Sequence, residues 1–194
     1  IALAVCPQPE PLVVEIGAGR GALTRQLLAR AGRVVAIETD PRLAGGLEQT
    51  FAGTAGLLVV RGDVMSTDLT KWGPAVFAGN LPYYLTSPIL RRVLTLGDAF
   101  LRAVFLVQKE VAGRLVAQPG SRAYGFLTVQ TAAFAAAEML FTVPPSAFRP
   151  PPKVDSALVR LTPRPVEEPD PAGFLEFVSQ CFRQKRKTLR NNLA

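Results

Sequence analysis

The residues from Val76 to Leu85 carry the densest group of side chains able to do chemistry in this chain, Val-Phe-Ala-Gly-Asn-Leu-Pro-Tyr-Tyr-Leu. They read as an apolar strand that stops at Asn80-Leu-Pro-Tyr. Pro82 has no backbone N–H and turns Leu81 away from helix, so the carbonyls around Leu81 are expected to face open space. An amide oxygen and a backbone carbonyl can together accept both hydrogens of an exocyclic amine. A tyrosine ring can cover the face of the heterocycle that carries it. The same residues would also suit a plain strand end followed by a proline turn. The choice rests on what the rest of the chain brings to the same place.

Some chemistry is excluded at once. The 194 residues contain no histidine, so histidine acid/base catalysis and zinc sites of the usual kind have no ligands to work with. Cys6 and Cys181 are far apart among apolar neighbours, which fits reduced core thiols and a cytoplasmic protein. No apolar run is long enough to span a bilayer. Ile1-Ala-Leu-Ala-Val carries no basic leader and reads as the inside of a helix. Net charge is +7, which favours a polyanionic partner. The basic residues are unevenly placed: Arg183, Lys185, Arg186, Lys187 and Arg190 crowd the C-terminus, with Arg149, Lys153, Arg160 and Arg164 ahead of them. Such a cluster suits phosphates, although an exposed helix face can carry the same pattern.

Four strands are needed to bring the candidate residues together. Leu12 to Ile16 is a buried apolar run that ends in the glycine turn Gly17-Ala-Gly-Arg-Gly, and a helix follows from Ala22 to Ala31. Strand, glycine turn and helix form a nucleotide-binding unit in which backbone N–H groups can approach a ligand. Arg33 to Glu38 is a second strand whose final acid follows Gly17 by 21 positions, the spacing at which a carboxylate reaches ribose hydroxyls. Asp40-Pro41 then caps a helix through Phe51. Leu57 to Arg61 runs into Gly62-Asp63-Val64, where Asp63 could accept from an adenine amine and the Val64 N–H could address a ring nitrogen; an Asx turn is the alternative for Asp63. The fourth strand, Ala75 to Ala78, delivers Asn80. In an open parallel sheet the ligand crevice lies beyond the carboxyl ends of the strands, so Gly17, Glu38, Asp63 and Asn80 are expected to line one site.

Leu101 to Val107 reads as a fifth strand leading into a helix at Gln108-Lys-Glu-Val, and a helix rich in small residues starts near Gly125. Glu138 to Val143 and Val154 to Leu161 read as an antiparallel final pair, joined by Pro144-Pro-Ser-Ala-Phe-Arg-Pro-Pro-Pro-Lys153. Consecutive prolines stiffen that loop and hold Phe148 either as a stacking surface or as packing beneath it. Residues 163–171 read as a linker. Residues 172–183 and the element begun at Arg190 are too little to close a core of their own.

These motifs together resemble the ribosomal RNA small-subunit adenine N6,N6-dimethyltransferases, relatives of the erythromycin-resistance rRNA methylases. The resemblance is carried by Val-Glu-Ile-Gly-Ala-Gly-Arg-Gly-Ala-Leu-Thr, Glu38-Thr-Asp-Pro, Gly62-Asp-Val, Asn80-Leu-Pro-Tyr, Gln108-Lys-Glu-Val and the loop Pro144 to Ala157. It implies a Rossmann-like α/β methyltransferase over residues 1–162, with a mostly parallel seven-stranded sheet and an antiparallel final strand. Residues 163–194 would be a linker and the start of a helical RNA-binding domain.

It further implies S-adenosylmethionine as methyl donor, no metal, and small-subunit ribosomal RNA or its precursor particle as substrate of a cytoplasmic monomer. Gly17 would meet the methionine end, Glu38 the ribose, and Asp63 and Val64 the adenine. Glu15, Ala18, Gly19, Thr39 and Asn80 would complete the donor site. Asn80, Leu81, Pro82 and Tyr83 would hold the target adenine, with Phe148 stacked on its other face. Arg149, Lys153 and the C-terminal basic residues would bind RNA. The family pattern also includes an N-terminal Gln-Asn-Phe-Leu segment and further C-terminal helices that these residues do not contain, and relatives often carry a polar residue at the position of Tyr84. A nicotinamide-dependent dehydrogenase would share the glycine turn and the acid, and a non-catalytic ribosome-assembly factor would share the basic face.

Overall fold

The structure, a computed structural model, describes residues 1–166, 170–184 and 187–193. A short helix α1 (Ala2–Val5) precedes β1 (Glu10–Ile16), α2 (Ala22–Leu28), β2 (Ala31–Glu38), α3 (Pro41–Thr50) and β3 (Leu57–Arg61). Then come β4 (Ala75–Asn80), a 3-10 turn Tyr83–Leu85, α4 (Thr86–Leu94), β5 (Phe100–Gln108), α5 (Lys109–Leu115) and α6 (Phe126–Phe134). The chain closes with β6 (Ala135–Val143), β7 (Ser156–Pro163), α7 (Pro171–Cys181) and α8 (Leu189–Leu193).

The seven strands form one sheet in the order β3-β2-β1-β4-β5-β7-β6. Neighbours among the first five pair in parallel, and β7 runs antiparallel to both β5 and β6. Central strands are buried on both faces because helices cover them: β1 from Leu12 to Ile16 and β4 from Ala75 to Gly79 carry no exposed residue. The edge strand β3 is only half-buried. Strand order reverses between β1 and β4, and two glycines mark the reversal. A Cβ on Gly79 would lie 2.3 Å from the Ile16 carbonyl oxygen, so no side chain fits there. Gly17 sits at φ +72°, and a Cβ on it would point at the Asn80 carbonyl oxygen, 3.8 Å away. The ends of β1 and β4 therefore meet backbone to backbone.

Boundaries move where small residues fit either state. The helix expected to reach Ala31 ends at Leu28, because Ala31 already pairs with Glu10 in the sheet. The strand expected from Glu138 begins at Ala135, opposite Pro163, as alanines accept either geometry and the pairing partner decides. The last strand starts at Ser156 and not at Val154, which is exposed; Asp155 instead ties the preceding loop to Lys109 through an ion pair of 3.2 Å. As expected, the Asp40 carboxylate caps α3 by accepting the Arg42 N–H at 2.8 Å.

Residues 164–166 leave β7, and α7 packs on α6, with the Phe182 ring 6.1 Å from that of Tyr124. Both cysteines are free thiols. Among the described residues no helix is long and apolar enough to cross a membrane, and no cluster of side chains could hold a metal ion.

Candidate active site

A cavity of about 540 Å³ opens beyond the carboxyl ends of the parallel strands. Each strand contributes its terminal residues: Gly17 from β1, Glu38 and Thr39 from β2, Asp63 and Val64 from the turn after β3, and Asn80, Leu81 and Pro82 from β4. Tyr83 and Phe148 border it from the 3-10 turn and the proline loop, whose Pro150, Pro151 and Pro152 form part of its wall. Glu15, Ala18 and Gly19 do not border it.

The glycine turn faces inward. Gly17 and Ala18 donate their N–H groups to the Ile37 carbonyl at 2.9 and 3.3 Å, and Gly21 donates to Ala18 at 2.9 Å. The N–H of Gly19 goes to Glu38 Oε2 at 2.7 Å, while Glu38 Oε1 accepts the Asp40 N–H at 2.9 Å. The expectation that these turn amides meet a ligand is therefore replaced by another arrangement. The amides of Gly17, Ala18 and Gly19 bind the turn to β2, that of Gly21 closes the turn on itself, and the Glu38 carboxylate, buried at the cavity edge, is the clasp.

Glu15 lies beneath the turn. Its side chain is buried and accepts a hydrogen bond from the Thr24 hydroxyl at 2.6 Å, which joins β1 to the first turn of α2. Burial pushes its carboxyl up to about 7, against the opposing hydrogen bonds from Thr24 and with a smaller upward contribution from the charge on Glu38.

Asp63 forms an Asx turn after all, accepting the Met65 N–H on Oδ1 at 2.8 Å. The turn leaves Oδ2 and the Val64 N–H without partners among the described residues, so both remain available at the cavity. On β4, Leu81 buries its side chain and donates its N–H to the Leu106 carbonyl at 3.0 Å. The Leu81 carbonyl and the exposed Asn80 amide make no hydrogen bond among the described residues. Pro82 differs from expectation: its carbonyl is engaged by the Leu85 N–H at 2.9 Å and the Thr86 hydroxyl at 3.3 Å, which wind the 3-10 turn.

One partner escaped sequence reasoning altogether. The Tyr83 hydroxyl lies 3.1 Å from Ser156 Oγ, a buried group at the start of β7 and 73 residues away in the chain. Nothing local to either residue signals that contact. Phe148 packs against the core and also borders the cavity. Arg149 and Lys153 are exposed on the same loop. Arg183, Lys187 and Arg190 are exposed around α8 and do not border the cavity, and Lys185 and Arg186 lie outside the described residues.

The sequence matches the family model described as ribosomal RNA adenine dimethylase over residues 1–194. The chain belongs to that family. A member from Synechococcus sp. (strain JA-3-3Ab), ribosomal RNA small subunit methyltransferase A, is 47% identical over 194 residues, covering 96% of this chain and 69% of that protein. Among solved structures, a dimethyladenosine transferase from Plasmodium falciparum superposes with a TM-score of 0.84 at 33% identity, over 99% of this chain and 70% of that one. The 23S rRNA methyltransferase ErmE gives 0.81 at 32% identity, over 99% and 78%. This rRNA adenine dimethylase chain spans about two thirds to three quarters of the curated relatives it matches. The fold and family expected from the motifs are thereby borne out.

Proposed function

We propose that this chain is the methyl-transferring part of an S-adenosylmethionine-dependent enzyme that dimethylates N6 of adenines in small-subunit ribosomal RNA. The observation that carries the reading is the convergence of four strand ends on one cavity in a member of the adenine dimethylase family, with Asn80, its side-chain amide without a partner among the described residues, lining that cavity together with Gly17. A dehydrogenase would leave Asn80-Leu-Pro-Tyr and the proline loop without a role, and the family assignment sets it aside. The donor fits the residues present. Asp63 Oδ2 and the Val64 N–H offer an acceptor and a donor to an adenine edge, and each Glu38 oxygen keeps a lone pair for a ribose hydroxyl. Ala18 and Gly19 serve the donor indirectly by tying the turn to β2 and Glu38, Glu15 by tying β1 to α2 through Thr24 beneath it, and Thr39 borders the ribose side.

When bound, the donor supplies a methyl group already activated on a sulfonium sulfur. The chain then has to align and desolvate the acceptor. Asn80 Oδ1 and the Leu81 carbonyl accept the N6 hydrogens, which draws that nitrogen towards tetrahedral geometry and frees its lone pair. Tyr83 and Phe148 hold the adenine ring, and the surplus proton leaves to water. Arg149, Lys153 and the exposed C-terminal basic residues contact phosphates, and residues 163–194 open the helical RNA-binding domain. The enzyme acts as a cytoplasmic monomer.

The reading is tested by incubating the full-length protein with labelled donor and unmethylated small-subunit RNA. N6,N6-dimethyladenine in the digested RNA is expected by mass spectrometry. RNA binding without methyl incorporation would leave a non-catalytic assembly factor.

Glu38→Ala should weaken donor binding, measured by calorimetry, by on the order of 1.5–3 kcal/mol while RNA affinity holds. Glu38→Gln should cost nearly as much, because its NH₂ group would face the N–H of Gly19 or Asp40. Full donor affinity in both variants would remove Glu38 from the site. The Tyr83–Ser156 contact yields a separate expectation. Ser156→Ala and Tyr83→Phe should each slow single-turnover transfer by about three- to tenfold, and the double variant no further, since both break one hydrogen bond. Additive losses would show that the two residues act independently.

A further inference from the structure

We propose that Tyr84 is a stacking platform for a nucleobase next to the target adenine in the RNA strand, a subsite distinct from the one built by Tyr83 and Phe148; this rests on the function proposed above. Tyr84 is 81% exposed, more than any other large apolar side chain among the described residues, and it still borders the cavity mouth. Its hydroxyl has no partner among the described residues.

Single exposed apolar side chains are ordinary on protein surfaces. Tyr84 differs in being aromatic, placed at a rim and carried on a fixed backbone. The two hydrogen bonds to the Pro82 carbonyl close the turn around it, and that turn runs straight into α4, which buries Ile89, Leu90, Val93 and Leu94. Successive residues of a 3-10 turn point about 120° apart. Tyr83 accordingly turns inward to Ser156, and Tyr84 turns out to solvent beside it.

The chemistry of the substrate explains the outward ring. Extruding one base from a stacked strand leaves its neighbour with a bare face, and an aromatic side chain at the pocket mouth can cover that face. Every base has such a face, so the subsite tolerates any neighbour. Net charge is +7, and Arg149 and Lys153 are exposed on the proline loop that walls the same cavity, where they can take the phosphates of a strand passing over Tyr84.

The test uses the full-length protein and unmethylated small-subunit RNA, with single-turnover methyl transfer followed against RNA concentration and donor binding followed by calorimetry. Tyr84→Ala and Tyr84→Leu should raise the half-saturating RNA concentration by about tenfold. Tyr84→Phe, which keeps the ring, should stay within about twofold, and donor affinity should hold in all three. A Tyr84→Leu enzyme as good as the wild type would replace stacking by mere apolar cover and overturn the proposal. Weakened donor binding would overturn it too, by showing that the ring closes over the donor. An inert wild-type protein would bring down the proposed function and this subsite together. An active wild type beside an unaffected Tyr84→Ala would bring down the subsite alone.

Discussion

Methyl transfer by Asn80→Ala is expected to fall by on the order of a hundredfold at saturating donor and RNA. The amide is exposed at the cavity and bonds to no described residue, and it is carried by the residue whose backbone carbonyl approaches Gly17 where the ends of β1 and β4 meet. Its oxygen does more for the transition state than for the bound substrate, because the N6 hydrogens become more acidic as the nitrogen gains positive charge on bonding to the methyl group. The loss should therefore appear in the maximal rate, with donor affinity within about twofold of the wild type. Asn80→Asp keeps an accepting oxygen and should fall between alanine and wild type. Phe148→Ala should slow transfer by about tenfold, since the same ring is shared between the core and the cavity wall. Single-turnover methylation read beside calorimetry separates the outcomes. An Asn80→Ala enzyme of normal rate would take the acceptor role away from this amide.

The second large effect concerns stability. Glu15→Gln should abolish a pH dependence of folding that amounts to on the order of 3 kcal/mol between pH 4 and pH 8. The sign follows from a carboxyl pushed up to about 7 by burial, from 4.5. At pH 4 the group is largely protonated in both states and affects stability little. As pH rises through about 7 the unfolded chain has already released a proton that the folded chain still holds, so stability declines. Glutamine keeps an oxygen for the Thr24 hydroxyl and cannot ionise. Urea denaturation of both proteins at the two pH values measures the difference. Parallel pH profiles would mean that Glu15 stays ionised when folded.

Much of the site was legible because each central strand advertises its own end. The runs before Gly17, Glu38, Asp63 and Asn80 are apolar, the breaks are abrupt, and a parallel sheet must bring those breaks to one side. What stayed hidden depended on register. Whether the N–H of Gly19 faces a ligand or Glu38 is decided by the pairing of Glu15 with Ala36 and Ile16 with Ile37, and no property of a glycine turn reveals it. Ser156 reaches Tyr83 because β7 inserts beside β5, with Ser156 opposite Gln108, a placement that sequence spacing cannot convey. The start of β6 is ambiguous in the sequence because Ala135 and its neighbours suit helix and strand alike.

The contact between Gly79 and the Ile16 carbonyl leaves no room for a side chain, so the spacing between the two halves of the cavity is set by main chain alone. Under the proposed function, a donor at Gly17 and a base at Asn80 would in effect be mounted on a single ruler. Divergence in the surrounding loops can therefore change which RNA is gripped without recalibrating the gap that the methyl group has to cross.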